Sequence, residues 1–329
     1  MRYARGVARA AVPARSALVG NPSDGFGGAT IAFTLAELKA VVEAKPAMGV
    51  RLEAEDEALE FDDLAALVAA GARGEYPASG PQALLMAAAK RFGERHPELG
   101  DRGLGLAVVR SSIPPAVGLA GSSAVAIGAL RALGELFGDD VPLDELPLLA
   151  LACESEELGI AAGLQDRVVQ AHGGLVFMDF DPAHPRGGRY EALDPDLLPP
   201  LFVAWLASGE TDSGLTHRSA HERFDAGDPD VVATMAEIAA LAQRALSALT
   251  VRDSAGLGVL MERNFELRRR IYELDPRHVE LIKTAQGLGA PANYTGSGGA
   301  IVGLFRDEDH LAELREAFEA LGCELLVRR

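Results

Sequence analysis

The chain has 329 residues, 48% of them hydrophobic and 24% charged, and a formal net charge of −17 at pH 7. Such a composition buries a sizeable core, in two domains or one large one, and excludes a disordered chain. The negative field argues against nucleic acid or an anionic membrane as the main partner, whereas a few local arginines still serve an anionic small substrate within a Debye length of roughly 8–10 Å.

The basic, Ala-rich opening MRYARGVARAAVPARSALVG has no long apolar run before Arg15, so no secretory signal is expected. Residues 14–20, ARSALVG, read as a short strand ending in the turn NPSDGFGG, with ATIAFTL as the next strand. LKAVVEA and GVRLEAED continue with strand-like patterning. GPQALLMAAAKRFGERH is a helix by its Gly-Pro start, its apolar spacing and the basic residues of its last turns. GLGLAVVRSSIP is a strand leading into PPAVGLAGSSA, and a long helix then runs to about LFGDD. PLDELPLLALACESEELG is a further helix with Asp144 as its expected N-cap.

After the strand GGLVFMDF comes the Pro/Gly-rich DPAHPRGGRYEALDPDLLPP, read as a boundary between domains 1–190 and 191–329. LFVAWLASG follows, with Trp205 expected in the core. Helices run through VVATMAEIAALAQRALSAL and LGVLMERNFELRRRIYEL, and ANYTGSGGAIVGLF, the helix DEDHLAELREAFEAL and the strand CELLVRR close the chain. Charges or glycines interrupt every apolar run short of the ~18–20 residues a membrane span needs. Cys153 and Cys323 are the two cysteines, so a disulfide scaffold is not expected and a reducing, cytoplasmic setting is. The alternation predicts a mixed α/β protein in two parts.

In PPAVGLAGSSA, glycines let backbone approach a ligand, and the N–H groups at the start of the following helix suit an anion. The same residues also read as an ordinary helix start capped by Ser122 or Ser123. A P-loop is ruled out because no G-x-x-x-x-G-K-[ST] occurs, and GLGAPA, Gly287 to Ala292, follows a helical stretch, which weakens a dinucleotide reading. Two more Gly/Ser loops stand at the ends of the chain: ARSALVGNPSDGFGG, with Arg15, Asn21, Ser23 and Asp24, and TGSGGAIVGLF. His217 and His221 share an i,i+4 spacing but lack a third ligand, so zinc is not expected.

Taken in chain order, ARSALVGNPSDGFGG, PAVGLAGSSA and TGSGGAIVGLF resemble the three motifs of the GHMP kinases, the galactokinase, homoserine kinase, mevalonate kinase and phosphomevalonate kinase superfamily. The pattern is most similar to the glucuronokinase-type members. The resemblance implies an N-terminal domain of the ribosomal protein S5 domain 2 type, a ferredoxin-like C-terminal domain, and transfer of phosphate from ATP with Mg²⁺ to the anomeric hydroxyl of a sugar acid. Other sugar 1-kinases, a mevalonate-type kinase and a silent ligand-binding regulator are the alternatives.

By that resemblance, Pro115, Gly118, Leu119, Ala120, Gly121, Ser122, Ser123 and Ala124 cradle the ATP phosphates. Ser123 and Glu154 hold Mg²⁺, with Glu156 and Glu157 competing for the second place and two of the three acids expected on a solvated helix face. Asp166 is the catalytic carboxylate, and Arg15 steadies the transferring phosphoryl group. Asn21, Ser23, Asp24, Thr211, Ser213, Gly296, Ser297 and Gly298 border the substrate. Asn21-Pro22 replaces the Glu-His of galactokinases, which disfavours galactose. Arg167, Arg218 and Arg223 are the candidates to read a substrate carboxylate. The implied partners are ATP and a small sugar or sugar acid, bound by a monomer or homodimer.

Overall fold

The structure, a computed structural model, describes every residue except 1, 2, 5, 56, 208–213 and 329, and gives the backbone alone for 186 and 214–219. The chain forms two compact units, each gathered from separate stretches: 1–14, 35–113 and 120–172 in the first, 15–34, 114–119 and 173–329 in the second. These units cut the chain in more places than a boundary at 190, because two long strands, β1 (Ala8–Val19) and β2 (Ala29–Ala47), each contribute residues to both.

β1 starts well before the strand read at residue 14. Its Ala8, Ala10, Val12 and Ala14 are buried while Arg9 and Ala11 are exposed, a period of two written in residues with weak strand preference. Pro13 is tolerated because, among the described residues, β2 is the one strand that β1 pairs with. β2 absorbs both ATIAFTL and LKAVVEA into one 19-residue strand, with a register shift at Val41/Val42.

In the first unit, β3 (Val50–Ala54) and β4 (Glu57–Phe61) form a hairpin, and helices α1 (Leu64–Ala72) and α2 (Pro81–Arg95) lead to β5 (Gly103–Ser111). The strand order is β4-β3-β5-β2. β3 and β5 are parallel, as a helical crossover permits. Helix α3 (Gly121–Phe137) packs against α2, α4 (Leu146–Ala152) and α5 (Leu164–His172). It lies so close to β2 that a Cβ at Gly128 would stand 2.8 Å from Val42 Cγ2, close packing that an Ala-rich, aromatic-poor core allows. Asp144 is not the cap of α4: the helix begins at Leu146, its cap position is Glu145 without a side-chain bond, and Pro147 in the first turn sets the start. Nor does the helix run through CESEELG, since residues 153–157 open into a π-turn.

In the second unit, β6 (Leu175–Asp179) pairs antiparallel with Ala29–Phe33 of β2, and β7 (Arg189–Leu193) pairs with β6. The segment read as a linker thus contributes a strand. Next come β8 (Leu201–Leu206), α6 (Gly214–Asp225), α7 (Pro229–Thr250), α8 (Ser254–Ile271), α9 (Pro276–Gly287), β9 (Ala292–Tyr294), β10 (Ala300–Leu304), α10 (Glu308–Ala320) and β11 (Cys323–Arg328). β8 to β11 form an antiparallel sheet in the order β11-β8-β10-β9, the ferredoxin-like arrangement expected.

Aspartates start these helices. Asp228, Asp253, Asp275 and Asp307 each accept a backbone N–H of the first turn, and proline follows Asp228 and Asp275. Phe202, Phe265, Tyr294, Ile301, Leu314 and Phe318 fill the core over the sheet, and Trp205 is buried as expected. α7 is long and apolar enough by composition to cross a membrane. It turns Val231, Met235, Ile238, Leu241 and Ala245 inward and packs against α8, as an amphipathic core helix does.

Candidate active site

The first unit holds the start of α3. Its cap, Ala120, is left-handed (φ 62°, ψ 45°) and offers no side-chain acceptor. Neither Ser122 nor Ser123 caps the helix, so its first N–H groups keep the donor capacity that suits an anion. Ser122 is exposed and Gly121 half-buried, whereas Ser123 and Ala124 are buried. Ser123 Oγ donates to Gln170 Oε1 at 2.6 Å, which leaves the hydroxyl's lone pairs for another ligand.

Gln170 was not singled out in the sequence, although it lies i+4 from Asp166 in an otherwise apolar turn. Its amide donates to Ala120 O (2.9 Å) and Pro13 O (2.8 Å), so one side chain fixes both the cap residue and the Ser123 hydroxyl. Gln170→Leu removes the side-chain donor to Pro13 O and Ala120 O and the nearest acceptor of the Ser123 hydroxyl, and is expected to destabilise the protein by about 1–3 kcal/mol. Denaturant unfolding of the variant measures this, and an unchanged midpoint would refute it.

Glu154 sits in the π-turn, where Ile160 N closes a wide loop onto Glu154 O at 2.8 Å; such turns recur at functional sites. The residue is 0% exposed. Its Oε2 accepts from both Nε (2.8 Å) and Nη2 of Arg167, while Oε1 has no hydrogen-bond partner among the described residues. Arg167, offered as a reader of substrate carboxylate, is buried and committed to Glu154 and to Gly163 O (2.8 Å).

Two solvated acids were expected beside Glu154, and the structure supplies one. Glu156 is 65% exposed and pairs with Arg91 at 2.7 Å. Glu157 is 7% exposed and accepts from Lys90 Nζ at 2.8 Å and from the Tyr76 hydroxyl. Burial opposes its ionisation, but Lys90, Tyr76 and Arg91 hold its carboxyl below the usual range. Asp166 lies in the first turn of α5 with its side chain 21% exposed and an oxygen 3.6 Å from Arg167 Nη1.

The second unit brings the remaining loops together. Arg15 is buried and its Nη1 donates to Gly118 O (2.8 Å) and Thr295 O (2.7 Å). Gly118 has φ +75°, and a Cβ there would stand 2.4 Å from Gly298 O, so no larger residue fits. Gly296 is equally constrained, its Cβ position lying 2.8 Å from Arg15 Nη1. Val117 and Gly118 therefore interlock with 295–299 beside the Arg15 guanidinium, while Leu119 O accepts from Arg15 N and Pro115 is exposed.

Arg268, on α8, braces the same loop from below: Nη1 donates to Gly296 O (2.8 Å) and Nη2 to Ser297 O (3.1 Å). The guanidinium carbon lies 5.4 Å from the Tyr272 ring centre and 5.1 Å from that of Tyr294. Burial lowers the Arg268 pKa, with the Tyr272 and Tyr294 hydroxyls and the Asp24 carboxylate opposing. Burial also pushes both tyrosines up to about 12. In the sequence Arg268 was one of three consecutive arginines, and nothing set it apart.

In the turn after β1, Asn21 and Ser23 have partners inside the protein. Asn21 Nδ2 donates to Tyr294 O (3.0 Å) and its Oδ1 accepts from Asn293 (3.2 Å), and Ser23 Oγ donates to Ala29 O (3.0 Å). Asn264 closes the network between Gly20 N and Asn21 O. Asp24 is half-buried and within electrostatic reach of Arg268. Arg223 pairs with Asp228 at 2.9 Å, and His221 stacks on Phe26 with ring centres 4.2 Å apart. Thr211 and Ser213, and the side chains of Arg218 and His217, lie outside the described residues.

Known proteins match this chain in the same order as its motifs. The family described as the GHMP kinases N terminal domain matches residues 83–174, and GHMP kinases C terminal matches 242–322. A probable glucuronokinase 2 of Arabidopsis thaliana is 38% identical over 304 residues, covering 88% of this chain and 82% of the relative. Glucuronokinase 1 of the same plant is 35% identical, with 88% and 82% covered. In fold, the crystal structure of Methanococcus jannaschii mevalonate kinase superposes with a TM-score of 0.77 at 17% identity, over 97% of this chain and 96% of that one. With both halves of the family matched in order and relatives of this identity spanning most of its length, the chain belongs to the GHMP kinase family and is an ATP-dependent phosphotransferase.

Proposed function

We propose that the protein is a Mg²⁺-dependent sugar-acid 1-kinase that transfers the γ-phosphate of ATP to the anomeric hydroxyl of D-glucuronate, giving glucuronate 1-phosphate and ADP. The observation that carries this reading is its 38% identity to an Arabidopsis relative named as a probable glucuronokinase, over 82% of that relative's length.

The residues suit the ion. A buried carboxylate oxygen without a hydrogen-bond partner among the described residues, Glu154 Oε1, and a hydroxyl that donates to Gln170, Ser123 Oγ, are hard-oxygen donors of the kind that would hold Mg²⁺ together with phosphates and water. Among the described residues no group of three or more His, Cys, Asp or Glu could hold a metal. When bound, the ion supplies neutralisation of the phosphate oxygens.

This chain's own residues do the rest. The uncapped start of α3 presents N–H groups to phosphate oxygens. Asp166 orients the acceptor hydroxyl and takes its proton as the new O–P bond forms and the bond from the γ-phosphorus to the β,γ-bridging oxygen breaks. The family pattern assigns Arg15, whose Nη1 donates to Gly118 O and Thr295 O, to steadying the transferring phosphoryl group.

The test is ATP consumption with glucuronate, glucose, galactose, a heptose 7-phosphate and mevalonate as acceptors, with the product examined by ³¹P NMR. Glucuronate-dependent ADP formation and an anomeric phosphate are expected. Turnover of a neutral sugar or of mevalonate, with none of glucuronate, would reject the reading.

A further inference from the structure

Three successive carbonyls of the C-terminal Gly/Ser loop end on guanidinium groups: Thr295 O on Arg15, Gly296 O and Ser297 O on Arg268. In a planar trans peptide the C=O and N–H of one unit point to opposite sides. With the Gly296 and Ser297 carbonyls held against one guanidinium, the N–H groups of Ser297 and Gly298 are turned away from it. Among the described residues neither N–H meets a backbone acceptor. Gly298, at φ +142°, takes a conformation that glycine alone adopts readily. Two successive N–H groups left on one side of a loop without a backbone acceptor can donate to an anionic oxygen.

Arg268 has the features this task demands. It is 1% exposed, and its planar fork spans two neighbouring carbonyls, which the single ammonium of a lysine does not match. The Tyr272 and Tyr294 rings flank the guanidinium and limit its movement. With Arg15 bracing the preceding carbonyl, the loop is held by two fixed charges in a protein that is otherwise strongly acidic.

We propose that Arg268 is a positioning residue that sets the Ser297 and Gly298 N–H groups as a seat for an anionic oxygen of a small substrate, supplied by the acceptor's carboxylate or by a phosphate of the nucleotide. The proposal rests on the kinase reading above, and its test separates the two sources. Arg268→Met and Arg268→Lys are compared with the wild-type protein by three constants: KM for glucuronate, the inhibition constant of its neutral amide, glucuronamide, and the calorimetric Kd of Mg·AMP-PNP.

Loss of well-aimed hydrogen bonds to a charged group predicts a weakening of roughly tenfold or more. A rise in KM for glucuronate with the glucuronamide constant unchanged assigns the seat to the carboxylate. A rise in the Mg·AMP-PNP Kd assigns it to phosphate. In either case Lys, which keeps the charge but not the fork, lies between Met and wild type. If all three constants stay within about twofold, while kcat follows the folded fraction, the arginine is structural only and the proposal fails. Should the Met variant not fold, the Lys variant carries the same comparison. Should the wild type not use glucuronate, the kinase reading fails for that acceptor, and the Mg·AMP-PNP titration still decides for or against Arg268.

Discussion

Asp166→Asn is expected to lower kcat by about 10²–10⁴-fold, the range that a positioned acid–base group contributes, with the Kd of Mg·AMP-PNP within about twofold of wild type. The amide is nearly the size of the carboxylate and keeps an oxygen toward Arg167, 3.6 Å away in the native protein. The charge lost from the first turn of α5 costs folding about 0.3–1 kcal/mol. An effect on turnover far larger than any effect on stability is therefore the signature of a residue that handles the acceptor proton. Initial rates at saturating ATP, paired with calorimetric nucleotide titration, measure both quantities. If kcat stayed near the wild-type value, Asp166 would have no part in proton transfer and its place in the family pattern would mislead.

Much of this site was legible because its chemistry is local. The Gly118–Ser123 loop and the Gly296–Gly298 loop each announce themselves by Gly/Ser runs beside a strand or a helix, and the structure puts both at such a junction, while Arg15 lies inside β1. The closing strand-helix-strand order of the second unit was readable for the same reason, whereas the one helix cap read from the sequence, Asp144, is not a cap. What was not legible depends on pairing across long stretches of chain. β1 hides in Ala and Arg residues that acquire a strand's period only because β2 lies beside them. Gln170 matters through Pro13, 157 residues away, and Arg268 through carbonyls 28 and 29 residues on. Arg167 looked like a free cation because its partner, Glu154, is brought to it by a π-turn that no helical periodicity predicts.

That pair makes Glu154 the most informative position to alter, because the proposed reading gives it two separable duties. Oε2 pairs with a buried guanidinium, and Oε1, which has no hydrogen-bond partner among the described residues, is the oxygen proposed to hold Mg²⁺. Glu154→Ala abolishes both, leaves Arg167 as an uncompensated buried charge, and is expected to cost about 3–5 kcal/mol. Arg167→Met breaks the same ion pair from the other side and destabilises the protein comparably, but it leaves the carboxylate in place. Glu154→Gln is the discriminating change, since its amide oxygen still accepts from Arg167 while the negative charge is gone. The Mg²⁺ concentration for half-maximal rate is expected to rise at least about tenfold in Glu154→Gln, as loss of a hard anionic ligand requires, and to stay near wild type in Arg167→Met. Thermal unfolding should rank them in another order, with Glu154→Ala and Arg167→Met below Glu154→Gln. Opposite rankings in the two measurements separate metal binding from charge compensation. If instead Glu154→Gln kept the wild-type Mg²⁺ requirement, holding Arg167 would be the whole function of the carboxylate, and Ser123 would have to share the ion with an acid other than Glu154.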